Sequence, residues 1–212
     1  MAPLPRWSDS VLRLALLVGV AVVVGGPTLL MAWVRTPGER QVGVAVEQPI
    51  EFDHRHHVRD DGIQCLYCHY EAERGPMAGV PDTALCMGCH NQIWPDSPQT
   101  APLRTSWALQ RPIAWRRVTR VPDFVFFDHS AHVTIGVGCE TCHGRVDTMA
   151  AVTKVEAMTM SWCVDCHRDP APHLRPRELV DAMGVAPDPE RGRRIARELD
   201  VRPPTHCTGC HR

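Results

Sequence analysis

Every cysteine in the chain, 10 in all, lies in a C-x-x-C-H pattern that occurs five times. The copies read CLYCH at 65–69, CMGCH at 86–90, CETCH at 139–143, CVDCH at 163–167 and CTGCH at 207–211. A single copy is compatible with a zinc site, a dithiol redox centre or a covalent haem anchor, and the repetition separates these. A structural zinc site takes four ligands, commonly from two separated pairs, and has no use for a histidine fixed directly after the second cysteine. Iron–sulfur sites use thiolates but not that histidine, and thioredoxin-like motifs come singly in a βαβ setting. Covalent haem attachment uses all three residues: two thiols reach the two vinyl groups of one porphyrin, and the adjoining imidazole meets the iron from the same side. The sequence therefore predicts five c-type haems, anchored at Cys65 and Cys68, Cys86 and Cys89, Cys139 and Cys142, Cys163 and Cys166, and Cys207 and Cys210. The proximal iron ligands are then His69, His90, His143, His167 and His211.

Composition points the same way. Aromatic residues make up only 6% of 212 residues, against 19 prolines and 15 glycines, a poor supply for an ordinary core and a rich one for loops. Five porphyrin plates would fill such an interior, so the expected fold is mainly α with extensive loops, a multihaem cytochrome c domain built around covalent haems. The chain without haem is expected not to fold. A formal charge of −1 argues against a nucleic-acid partner, because there is no net basic field to release counterions.

The N-terminus differs in kind. Residues 14–34, LALLVGVAVVVGGPTLLMAWV, carry no charge and match the roughly 20 apolar residues that cross a bilayer. A cleaved signal has a shorter apolar region of about 7–15 residues, so the stretch reads as a retained transmembrane anchor. Arg13 can snorkel at one end, Trp33 sits where an interfacial aromatic would, and Gly25-Gly26-Pro27 is a candidate kink. Haem is attached on the non-cytoplasmic side. The expected layout is a cytoplasmic 1–13, an anchor at 14–34, a connector at 35–49 and a pentahaem domain at 50–212. The protein would then sit in the inner membrane with its haem domain on the periplasmic face.

That domain contains a duplication. FDHRHHV at 52–58 precedes the first two motifs, and FDHSAHV at 127–133 precedes the third and fourth, giving dihaem units at about 52–90 and 127–167 with a fifth haem at 207–211. His54 aligns with His129 and His57 with His132, each pair spaced i,i+3. On a helical turn that spacing places two imidazoles side by side, where they can serve as distal ligands of two different irons. His56 has no counterpart, Ala131 standing in its place, and reads as non-ligating. His206 directly precedes Cys207 and cannot easily reach its own iron, while His173 stays open. Four distal histidines leave one iron short. A thioether is the alternative ligand in cytochromes c, and Met160 or Met149 is its candidate source. No strand pattern stands out. The segment 91–124 reads as a loop whose Trp94, Trp107 and Trp115 pack on something large. DPERGRRIARELDV reads as a helix capped by Asp188, and RELVDAMGV as a candidate second one.

The segments PIEFDHRHHV, CLYCHYEAE, MAGVPDTALCMGCHNQIW, PIAWRRVTRVPDFVFFDHSAHV, GVGCETCHGRVDTM, MSWCVDCHRDP, HLRPRELV and the closing CTGCHR resemble the membrane-anchored pentahaem cytochrome c subunit of alternative complex III. The resemblance runs from about residue 48 to 212, together with the placement of the single anchor. It implies a quinol-oxidising membrane complex, respiratory or photosynthetic, with an iron–sulfur subunit and membrane subunits that bind quinol. The pentahaem subunit would pass electrons to a mono-haem cytochrome or a soluble acceptor, and would be an electron carrier rather than an enzyme by itself. Two other readings compete. A multihaem reductase of a small oxyanion such as nitrite needs an open iron with acid–base groups beside it, and the histidine supply and the isolated Lys154 speak against that. A membrane-anchored quinol dehydrogenase serving a periplasmic reductase shares the anchor and the haems.

Overall fold

The computed structural model describes residue 5 and residues 7–211. Parts of the expected cytoplasmic segment 1–13 and the last residue of the haem domain lie outside them. The chain divides into two units, Met1–Val42 and Gly43–Arg212.

The first unit is dominated by helix α1, Trp7–Trp33, which is 27 residues long, with a mean hydropathy of 2.3 over its most apolar window. At about 1.5 Å per residue it is long enough to cross a bilayer. It starts a full two turns before the uncharged stretch, because Asp9 and Arg13 pair at i,i+4 across 2.8 Å and keep the polar end helical. The kink expected at Gly25-Gly26-Pro27 takes the form of a π-helical segment, Ala21–Gly25. Pro27 has no N–H to continue the ladder, and a π turn absorbs the missing bond. The Thr28 hydroxyl donates to the Val24 carbonyl at 2.7 Å in the same turn.

The second unit is a set of short helices on long connections. These are α2 Cys65–Cys68, α3 Thr83–His90, α4 Ala101–Leu109, α5 His129–Thr134, α6 Cys139–His143, α7 Met160–Arg168 and α8 Pro189–Glu198. The first four C-x-x-C-H motifs lie on α2, α3, α6 and α7, and the fifth on a 3-10 turn at Cys207–Gly209. Extended pairing among the described residues takes the form of isolated bridges, among them Ala45 with Thr153, Val125 with His211 and Val137 with Leu174. The side-chain core is small. Val180, at 1% exposure, is the one large side chain among the described residues that is fully enclosed, and it packs with Ala72 and Val133 against Leu66 and Ala78. That cluster joins the first motif's surroundings to α5.

Two local expectations change. The segment read as a loop contains α4, entered through Pro102 in its first turn, where a missing N–H costs nothing. RELVDAMGV forms only a three-residue 3-10 turn, Arg177–Leu179, hemmed by Pro176 and by Gly184 at φ +72°. Helix α8 has the expected cap: the Asp188 carboxylate accepts the Arg191 N–H at 2.9 Å. Of the three tryptophans, Trp94 and Trp107 are exposed, whereas Trp115 meets Phe52 edge-on at 6.5 Å.

Candidate haem centres

The duplicated F-D-H-x-x-H-V segments fold alike, each as one helical turn opened by its aspartate. Asp53 accepts the Arg55 N–H at 2.9 Å, and Asp128 accepts the Ser130 N–H at 2.8 Å. In the first copy the turn is π-helical over Arg55–Asp60, and in the second it is α5. The phenylalanine fixes both rings that follow it. Phe52 stacks on His57 (4.3 Å, 24°) and meets His54 edge-on (4.7 Å, 82°). Phe127 repeats this with His132 (4.9 Å, 26°) and His129 (4.7 Å, 86°). Sequence reasoning gave these phenylalanines no role, although their fixed offset in both copies was the available signal.

Backbone carbonyls then set the tautomers. Nδ1 donates to Asp53 O from His57 (3.0 Å) and to Asp128 O from His132 (2.7 Å). His129 Nδ1 donates to Pro76 O at 2.8 Å, and His69 Nδ1 to Gly79 O at 2.8 Å. His90 Nδ1 donates to Ile93 O at 3.0 Å, and His167 Nδ1 to Pro204 O at 2.7 Å. A carbonyl only accepts, so each of these rings carries its proton on Nδ1 and leaves the Nε2 lone pair free for a metal.

The rings face one another in twos. His57 lies 6.1 Å from His90, His129 6.3 Å from His143 and His132 6.1 Å from His167, centre to centre. A metal–imidazole bond of about 2.0–2.1 Å, with roughly 1.1 Å more to each ring centre, places two imidazoles on opposite sides of one metal about 6.2–6.4 Å apart. All three pairs match that span. The fourth distal candidate is His54. Its ring is pushed down to about 4 chiefly by burial, then by the neighbouring His69 and His57, and its buried Nδ1 has no hydrogen-bond partner. Burial, followed by His129 and His69, likewise takes His143 down to about 4. Both rings are neutral near pH 7, the form that binds metal. Among the described residues no three His, Cys, Asp or Glu side chains converge as a metal cage. None of the 10 cysteines is paired with another in a disulfide.

The remaining candidates separate from this pattern. His56 is exposed between Asp53 and Asp60. His211 contacts Phe124 at 5.8 Å. Met160 opens α7 and is 69% exposed, and Met149 is half-buried after the 3-10 turn Val146–Thr148. His173 contributes its carbonyl, which accepts the Gly138 N–H at 3.3 Å just before the third motif.

That third motif is also held by a buried ion pair. Arg175 reaches Glu140 Oε1 at 2.8 Å and the Ala182 carbonyl at 3.0 Å, while Glu140 Oε2 accepts the Gly184 N–H at 2.6 Å. The chain passes over Arg175 with Gly136 at φ +91°, where a Cβ would strike the Arg175 carbonyl.

Residues 125–212, which include three of the five motifs together with His129 and His132, match the family of cytochrome c7 and related cytochrome c. The chain is related to multihaem c-type cytochromes. It is 39% identical over 98 residues to the multiheme cytochrome c subunit of a menaquinone reductase from Nitratidesulfovibrio vulgaris. The match covers 46% of this chain and 46% of that protein, so the chain spans about half the length of its relative. Haem is thus the group the paired imidazoles fit: a porphyrin occupies the four equatorial positions of its iron and leaves two axial ones.

Proposed function

We propose that the chain is an electron-transfer subunit of a quinone-linked membrane complex, carrying five covalent c-type haems on the periplasmic side of an inner-membrane anchor, α1. The observation that carries the reading is the common span of the three imidazole pairs, 6.1–6.3 Å, in duplicated register. The chain's own contribution is to hold these ligands in place. Asp53 and Asp128 shape the two turns, Phe52 and Phe127 orient the rings, and carbonyls keep Nε2 unprotonated. Haems held between these imidazoles would supply one-electron transfer and leave no open site for a substrate, so the chain would act as a carrier and not as an enzyme by itself. His54 and His57 serve the haems of His69 and His90, and His129 and His132 those of His143 and His167. The fifth haem takes His211 and a thioether from Met160 or Met149.

The resemblance of residues 48–212 to the alternative complex III subunit supports quinol oxidation. Electrons would pass from an iron–sulfur subunit to a mono-haem cytochrome or soluble acceptor. The menaquinone reductase relative favours a second reading, in which the same wire runs toward menaquinone. Mild detergent extraction from native membranes, followed by assay of the recovered complex in both directions, tests the choice. Recovery with iron–sulfur and quinone-binding subunits and net quinol oxidation supports the first reading. Net menaquinone reduction supports the second, and recovery without such subunits contradicts both.

A further inference from the structure

The duplicated units do not follow one another like links in sequence. The two turns each hold a pair of neighbouring sites, His54 beside His57 and His129 beside His132, so the first site adjoins the second and the third adjoins the fourth. What joins the units is a set of contacts between the first motif's surroundings and α5. His129 Nδ1 donates to Pro76 O at 2.8 Å and the Ser130 N–H to Gly75 O at 3.2 Å, both on the strand of chain that follows the first motif. Arg177 crosses to Glu73 at 2.6 Å, and Val133 packs with Ala72 and Leu66 around Val180. The first motifs of the two units meet on adjacent residues: the Cys139 N–H donates to Val180 O at 2.9 Å, and Cys65 Sγ lies 3.4 Å from Asp181 O. The far end is tied in the same way: the fourth motif's His167 donates to Pro204 O at 2.7 Å, just ahead of the fifth motif.

From these contacts we infer that the five haem sites form one unbranched row in the order second, first, third, fourth, fifth. The two dihaem units meet through their first motifs, and the sites of His90 and His211 are the ends at which electrons enter and leave. The row rests on the five-haem reading.

Pulsed EPR on the full, detergent-solubilised holoprotein tests the order. Haem content is counted first by mass and by haemochrome absorbance, so that failure of the five-haem reading is seen separately. Replacing a distal histidine by alanine converts its haem to a high-spin marker. The double variant H54A/H129A marks the first and third sites, and H57A/H129A marks the second and third. The row places strong dipolar broadening in H54A/H129A and at least a tenfold weaker effect in H57A/H129A. The reverse result, which is what sequence order would give, or equal broadening in both, overturns it. Should the alanine variants assemble poorly, the methionine pairs H54M/H129M and H57M/H129M give the same comparison, read as mutual displacement of the two altered midpoint potentials. Displacement confined to H54M/H129M upholds the row, and any other pattern overturns it.

Discussion

His129 and His143 stand 6.3 Å apart with their ring planes only 8° from parallel, whereas the planes of His57 and His90 cross at 59°. Both pairs have the separation one metal would require, and the orientation of two axial ring planes governs the magnetic anisotropy of a low-spin ferric haem. These two centres should give distinct low-spin EPR signals. Replacing His129 by Ala should abolish the nearly parallel signal and open one iron to carbon monoxide, at one equivalent per chain above wild type. Unchanged carbon monoxide binding in H129A would contradict ligation by this residue.

A single phenylalanine orients two rings in each copy, so its loss should register at two haems. F127A should perturb the signals of the haems of His143 and His167 together and leave that of His90 alone, with F52A doing the converse. Each lost ring contact is worth about 0.5–1.5 kcal/mol. Effects limited to one haem would show that Phe127 packs without positioning.

The Arg175–Glu140 pair is largely buried, at 9% and 14% side-chain exposure. Breaking such a pair from one side costs about 3–5 kcal/mol, while replacing both partners by apolar groups is often close to neutral. R175M should therefore lower the denaturation midpoint sharply, and R175M/E140M should recover much of the loss. Additive losses in the double variant would place the stabilisation elsewhere in the Arg175 contacts.

Gly192 gives a prediction whose sign separates two forces. In a free helix, Gly to Ala gains about 1 kcal/mol. Here α8 lies against the 3-10 turn Ala171–His173, and a Cβ on Gly192 would strike the Ala171 carbonyl. G192A should lower the thermal midpoint and the yield of holoprotein. A rise would mean that α8 is not seated as the structure has it.

What the sequence disclosed and what it hid divide along physical lines. Motif spacing and the aligned pairs His54/His129 and His57/His132 are local, and local chemistry is written in order along the chain. The Asp188 cap of α8 belongs to the same class. Helix α4 was hidden because its tryptophans, arginines and prolines read as a loop, although Pro102 occupies a permitted first-turn position. RELVDAMGV was overread because an apolar pattern cannot report the stops imposed by Pro176 and Gly184. Partnering was beyond reach altogether: that His129 rests on Pro76, 53 residues away, depends on how the copies pack. Site residues with no chemistry of their own, Phe52 and Phe127, were visible in the repeat but carry meaning only once their rings touch.

The central claim is that the chain holds five covalent haems, four of them gripped by two imidazoles. Its most direct measurement is the intact mass of the purified protein together with its haemochrome absorbance and its near-infrared magnetic circular dichroism. The mass should be increased by five haems, with four bis-histidine signatures and one histidine–methionine signature. A mass showing fewer haems, or free thiols titrating at any C-x-x-C-H motif, would contradict it.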